Sequence, residues 1–151
     1  MSSYEIFALP AAGGTLALSP LPQGDDVQRL LDWQPDLVVS MTSQEEMDRL
    51  GSGDLGQALQ AAGVAWHHLP VVDYSTPESP DIRAIEEAAL AVLRAGGKVL
   101  THCRGGCGRA GMMALRLMIA SGEDVDPALT RLRAMRSCAV ETDAQLTWAQ
   151  G

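Results

Sequence analysis

Residues 102–111 read HCRGGCGRAG, which packs two cysteines, two arginines, four glycines and a histidine into ten positions. Cys103 and Arg109 bracket Arg104, Gly105, Gly106, Cys107 and Gly108. Glycine lacks Cβ and so admits positive φ, which lets successive backbone N–H groups converge on one point. A helix starting near Arg109 aims its free N–H groups at the same point. The Arg109 guanidinium can grip two oxygens of a tetrahedral anion at once. A thiol at the focus of a helix N-terminus and an arginine is the setting of a nucleophilic cysteine. The stretch is therefore read as a cradle in which Cys103 lies beneath a bound oxyanion such as inorganic phosphate, with residues 104–109 as the phosphate-binding set. A zinc knuckle does not fit, because Cys103 and Cys107 have C-x3-C spacing and no second Cys/His pair completes a site. No metal and no cofactor is expected.

The elements around this loop must deliver it. KVLTH, immediately before it, is a short strand run, and 109–120 is helical and apolar on nearly all sides, which predicts a buried helix. Upstream, 4–9 and 15–18 read as strands joined by Ala-Ala-Gly-Gly. DDVQRLLDW has helical spacing, DLVVS is a strand, and TSQEEMDRL is a helix with a Thr/Ser cap and early acids. DLGQALQAA is a further helix stopped by Gly63, and VAWHHLPVV is a strand leading into the loop DYSTPESP. Residues 81–95 form an amphipathic helix, and two more follow at 126–136 and 142–149. Strands alternating with helices predict an α/β fold, one domain over residues 1–151 with a central, mostly parallel sheet flanked by helices. The Gly-rich turn then falls at the carboxyl end of a strand, where such sheets bind ligands.

The chain has 151 residues, 46% of them hydrophobic, enough for a core without covalent staples. Its net charge of −8 argues against nucleic acid or an anionic membrane as partner. The charge is uneven: residues 1–101 carry five Lys/Arg against fourteen Asp/Glu, whereas 102–151 carry six against five. An anion site belongs in the C-terminal third. Three cysteines do not make a fully paired framework, so a reducing compartment is expected. MSSYEIFALP lacks a basic stretch followed by an apolar core, and no apolar run is long enough to span a bilayer. The expectation is a cytoplasmic protein.

His102, Cys103, Gly106 and Arg109 together resemble the Cys-x5-Arg signature, HCxxGxxR, of protein tyrosine and dual-specificity phosphatases. The resemblance implies that Cys103 attacks phosphorus and forms a phosphocysteine while Arg109 and the loop amides bind the transferring group. His102 is then structural. The family's general acid is an Asp on a loop some thirty residues earlier. Asp73 stands thirty residues before Cys103, after VAWHHLPVV. HHLPVVDYSTPE resembles the small dual-specificity group that includes the cyclin-dependent-kinase-associated phosphatase. Glu78 and Asp81 are weaker choices, Asp81 reading as a helix cap. His67 and His68 alternate in a strand and point to opposite faces.

RAMRSCAVETDAQ, residues 133–145, resembles the family's late segment R-x-x-R-P-G-A-V-E-T-x-x-Q, with Ser137 and Cys138 in place of Pro-Gly. Gln145 is thereby implied in placing the water that hydrolyses phosphocysteine. Arg133 and Arg136 are read as pairing with acids or shaping the rim, and Cys138 as a replacement for glycine. Cys107 is read as a small buried apolar residue or as a thiol that condenses with oxidised Cys103. Ala110 departs from the family's Ser/Thr, whose hydroxyl serves the sulfur as leaving group, so slow phosphocysteine hydrolysis is expected. The implied substrates are phosphorylated proteins or small phosphate monoesters, phosphotyrosine foremost. A rhodanese-like sulfurtransferase and a phosphate-binding pseudophosphatase are the alternative readings. The seven-residue span from Cys103 through Arg109 exceeds the six-residue loop usual in single-domain sulfurtransferases.

Overall fold

A computed structural model describes residues 4–151. Residues 1–3, at the head of the stretch read for a secretory signal, lie outside the described residues. Five strands form one sheet: β1 (Phe7–Ala11), β2 (Gly14–Ser19), β3 (Leu37–Ser40), β4 (Ala65–His68) and β5 (Lys98–His102), in the order β1-β2-β5-β3-β4. Only the β1–β2 pair is antiparallel. Seven helices connect and cover it: α1 (Asp26–Asp32), α2 (Gln44–Arg49), α3 (Leu55–Ala61), α4 (Ile82–Arg94), α5 (Gly108–Ala120), α6 (Val125–Met135) and α7 (Asp143–Ala149).

Alternation along the strands divides the core into two layers. Leu16, Leu18, Leu37, Val39 and Val99 face α4, α5 and α6. Ala17, Val38 and Leu100, from the intervening positions, face Leu30 of α1, Met47 of α2 and Leu55 and Leu59 of α3. β5 lies between β2 and β3, so both its faces and both its edges are covered. Helix α5 is buried from Gly108 to Leu115 without interruption, as its all-round apolar sequence predicts. No helix among the described residues is long and apolar enough to cross a membrane.

Two boundaries differ from expectation for identifiable reasons. The first strand starts at Phe7 and runs to Ala11, because the hairpin turns on Ala12 (φ 52°) and Gly13 (φ 92°), which leaves Gly14 as a strand residue. A Cβ on Gly14 would lie 2.7 Å from the Leu93 carbonyl oxygen and 2.8 Å from Leu93 Cα, so the end of α4 packs directly on the β2 backbone. VAWHHLPVV is a regular strand only to His68, because Pro70 has no N–H to give the ladder. Leu69 and Val71 still donate to the Ser40 and Met41 carbonyls at 2.9 and 3.2 Å, which carries the chain along β3 toward the site.

Candidate active site

The loop after β5 leaves the sheet between the carboxyl ends of β2 and β3, since His102 is in register with both Ser19 and Ser40. Cys103 is a free, buried thiol at its start. It lines a cleft of about 370 Å³ together with Asp73, Tyr74, Arg104, Gly105, Cys107 and Glu141. Asp73 is thus brought to the Cys103 thiol from thirty residues upstream. Its carboxylate accepts a bond from the Tyr74 amide at 3.0 Å, with Tyr74 at φ 65° turning the chain there.

The loop's carbonyls are held from outside. Leu21 N donates to Arg104 O at 3.0 Å, Arg136 donates to Gly105 O and Gly106 O, and Gly111 N and Val140 N donate to Cys107 O. In a planar trans peptide the C=O and the following N–H point in opposite directions. The amides of residues 105–108 therefore face away from those outer partners, toward the interior of the loop. The amides of Arg104 to Cys107 donate to no protein acceptor among the described residues. Gly106, at φ 75°, must be glycine twice over, because a Cβ there would also lie 2.7 Å from the Ser19 carbonyl carbon.

Arg109 is buried and its guanidinium is largely committed. Nη1 and Nη2 donate to the two oxygens of Glu46 at 2.7 and 3.1 Å, and Nη1 also donates to Val71 O at 3.0 Å. These bonds use the end-on edge and the second Nη1 hydrogen, leaving the side edge of Nε–H and one Nη2–H. Nε lies 3.4 Å from Asp73 Oδ1 and makes no hydrogen bond. This edge, ion-paired with Asp73 but without a hydrogen bond at Nε, has the geometry that can grip two oxygens of an anion.

Glu46 was not among the residues singled out by sequence. Burial pushes its carboxyl upward, but the bonds from Arg109 and from the Ser43 backbone prevail and hold it below the ordinary carboxylate value. Burial likewise pulls the Arg109 guanidinium down, and Glu46 and the nearby Cys103 more than offset it. The local signal available in the sequence for Glu46 is the S-x-x-E capping box: Ser43 Oγ accepts from Glu46 N, and Glu46 Oε1 accepts from Ser43 N. Residue types locate the cap, and only the fold brings Arg109 to the same carboxylate.

His102 is fully buried, with Nε2 on Ser40 Oγ and Nδ1 3.4 Å from Cys103 O. Ser40 Oγ also accepts from Trp66 Nε1 at 2.8 Å. A carbonyl only accepts, so Nδ1 carries the proton and donates to Cys103 O, and in the neutral ring Nε2 accepts from the Ser40 hydroxyl. Desolvation, with the positive field of His68 and Arg109 added, lowers the His102 pKa to about 4 despite the Cys103 carbonyl. The ring is neutral and orients the loop's first residue. His68, stacked on Trp66, bonds Thr42 O at 2.6 Å.

Ala110 is fully buried in the first turn of α5. Thr101 Oγ1 donates to the Ala110 carbonyl at 3.0 Å and is thereby spent. Gln145 is buried against Gly108: a Cβ on that glycine would lie 2.9 Å from Gln145 Oε1. Its Oε1 accepts from Glu141 N and Thr142 N, and its Nε2 donates to Ser75 O at 3.3 Å, joining the tail to the loop that carries Asp73.

The cysteines require a correction. Cys107 is bonded to Cys138, with Cα atoms 5.1 Å apart, and Cys103 alone is free. Cys138 is a partner and not a passive substitute for glycine, and Cys107 is neither an isolated apolar filler nor joined to Cys103. An odd count is compatible with one bond and one thiol, so the count did not establish a fully reduced set. Arg133 and Arg136 form no ion pair with an acid among the described residues. They bind backbone carbonyls rather than acids, Arg133 holding Ala139 O and Val140 O at 2.9 and 2.7 Å.

A family model described as the Swiss Army Knife protein, DSP-PTPase phosphatase domain, matches residues 12–148. The chain belongs to this dual-specificity and tyrosine phosphatase family. It is similar to human cyclin-dependent kinase inhibitor 3, 30% identical over 106 residues that cover 68% of this chain and 50% of that protein. The mouse protein of that name is 29% identical over 126 residues, covering 82% and 59%. The chain spans about half the length of the curated relatives it matches. Its fold is that of kinase associated phosphatase with its catalytic-site cysteine changed to serine, at TM-score 0.87, 23% identity, and coverage of 99% and 93%. Tk-PTP in its active form superposes at TM-score 0.74 with 28% identity and coverage of 94% and 92%.

Proposed function

We propose that this protein hydrolyses phosphate monoesters on phosphorylated proteins through a phosphocysteine at Cys103. The observation that carries this reading is that one short loop holds a free thiol at Cys103, amides that donate to no described acceptor, and the buried Arg109, whose Nε makes no hydrogen bond and lies 3.4 Å from Asp73 Oδ1. In the first step the Cys103 sulfur attacks phosphorus while the ester P–O bond breaks. Arg109 and the loop amides take the charge on the non-bridging oxygens. Asp73, at the cleft, gives its proton to the leaving oxygen. In the second step water attacks the phosphocysteine, Asp73 accepts the water's proton, and phosphate leaves as the thiolate is restored. In this reading Gln145, which packs against Gly108 and donates to Ser75 O, orients that water. Thiolate, guanidinium and carboxylic acid supply nucleophile, charge and proton, so the reaction as read calls for no metal or cofactor.

Phosphotyrosine is the leading substrate, since the loop carries Arg104 but none of the lysines of phosphoinositide-directed loops. The test is turnover of p-nitrophenyl phosphate and of a phosphopeptide panel by the wild type, Cys103→Ser and Asp73→Asn. Cys103→Ser is expected to abolish turnover. Asp73→Asn is expected to lower kcat/KM about 10²–10⁴-fold, the range of one general acid, with the larger loss on the poorer leaving group of phosphoserine. Activity surviving in Cys103→Ser would overturn the mechanism. Full phosphoserine activity in Asp73→Asn would remove Asp73 as the acid.

A further inference from the structure

The anion cradle depends on peptides that glycine leaves free to turn. Gly105 and Gly106 are adjacent, and a Cβ on Gly105 would meet nothing within 4 Å, so no packing fixes that residue. The carbonyls on either side are secured by main-chain amides, Arg104 O by Leu21 N and Cys107 O by Gly111 N and Val140 N. The Gly105 and Gly106 carbonyls receive no main-chain donor among the described residues. Their partner is Arg136, just beyond the end of α6: Nη2 donates to Gly105 O at 2.9 Å and Nε to Gly106 O at 3.3 Å. The Arg136 guanidinium also lies over the Phe7 ring, its Cζ 4.3 Å from the centroid, a second contact that limits its position at the loop.

We infer that Arg136 is a positioning residue of the phosphate loop. Its planar fork holds two carbonyls outward so that the Gly106 and Cys107 amides face the anion. The inference rests on the loop being an oxyanion cradle. Arg136 touches no substrate, and it acts by removing the conformational freedom that two consecutive glycines would otherwise spend when the anion binds. Lysine cannot substitute fully, since one ammonium lacks the fixed pair of donors that reaches both carbonyls.

The experiment measures binding of inorganic phosphate by calorimetry to wild type, Arg136→Ala and Arg136→Lys, below the unfolding transition of each. One free thiol per chain is verified beforehand. Arg136→Ala is expected to weaken phosphate binding about tenfold or more, the scale of losing a charge-assisted bond. KM for p-nitrophenyl phosphate should rise in parallel, with kcat falling less. Arg136→Lys should recover part of the affinity. Arg133→Ala, which frees tail carbonyls but leaves the Gly105 and Gly106 bonds in place, should lower stability with phosphate affinity retained. Equal phosphate affinity in wild type and Arg136→Ala would overturn the inference and leave the phosphatase reading intact. A wild type that binds no phosphate would overturn both.

Discussion

At the scale of single residues, Arg109 and Ala110 make opposite contributions. Arg109 is over-determined: Glu46 and the Val71 carbonyl fix three of its hydrogens, and Nε, 3.4 Å from Asp73 Oδ1, makes no hydrogen bond. Ala110 offers nothing to the sulfur, and the Thr101 hydroxyl recorded against it is committed to its carbonyl. Breakdown of a phosphocysteine needs the sulfur to leave, and a hydroxyl donor would stabilise the developing thiolate. Loss of one such donor costs on the order of 10²–10³ in rate, by analogy with an oxyanion-hole donor. Rapid mixing with p-nitrophenyl phosphate should therefore show a burst of one equivalent per chain, followed by a slow steady state. Ala110→Ser should raise the steady-state rate toward the burst rate and erase the burst. Linear progress curves in the wild type at saturating substrate would refute a slow second step.

At the scale of elements, α2 joins folding to function. Its capping box and the Arg109 pair use the same Glu46 carboxylate. Ser43→Ala and Glu46→Ala separate the two roles. Ser43→Ala should cost about 1 kcal/mol, the value of an N-cap, while kcat/KM stays near wild type. Glu46→Ala should cost more, because it also leaves a buried guanidinium without its carboxylate, and should reduce kcat/KM at least tenfold. Denaturation curves and steady-state kinetics on both variants check this, and equal kinetic effects would show that Glu46 serves only the helix. The tail segment shows a comparable economy. Val140 sits at φ 64°, a region β-branched residues seldom enter, and its carbonyl is tied down by Arg133. A Cβ on Gly111 would lie 2.6 Å from Val140 N, so this turn is pressed onto the α5 backbone.

At the scale of the whole molecule, stability should depend on pH through the buried histidine. His102 has a pKa of about 4 in the folded state against its ordinary 6.5. As pH falls below 6.5 the unfolded chain takes up a proton that the folded chain refuses until about pH 4. Protonation therefore favours unfolding across that window. The contribution is fully present above pH 6.5, and about 3 kcal/mol is lost by pH 4. Glu46 works in the same direction at lower pH, because its folded value is depressed and its stabilisation disappears as it protonates. Urea denaturation of the wild type should be level near neutrality and weaken from pH 6.5 to 4. His102→Gln should lack most of that slope, and an unchanged slope would exclude His102 as its source.

Legibility followed the range of the interaction concerned. KVLTH became β5 with both ends as read, and 81–95 became α4 within a residue at each end, because hydrophobic period, caps and glycine stops are local. The cradle was legible for the same reason: Cys103, three glycines and Arg109 lie within seven residues, and a strand and a buried helix flank them. Asp73 was found through resemblance to a known loop, and the fold brings it to the cleft. Glu46 and Arg136 were not assigned their contacts, and Cys138 was not recognised as the partner of Cys107. Each meets the loop across 29 to 63 residues of chain, a separation that neither periodicity nor capping encodes. The sequence by itself determined that a thiol would lie in a ring of amides at the end of a central strand, since short-range backbone preferences and one buried helix suffice. Only the tertiary structure decided how that ring is held. Outward carbonyls and a buried guanidinium must find partners wherever the chain brings donors and acceptors into reach, and here those came from the segment after β2, from α2 and from the turn after α6.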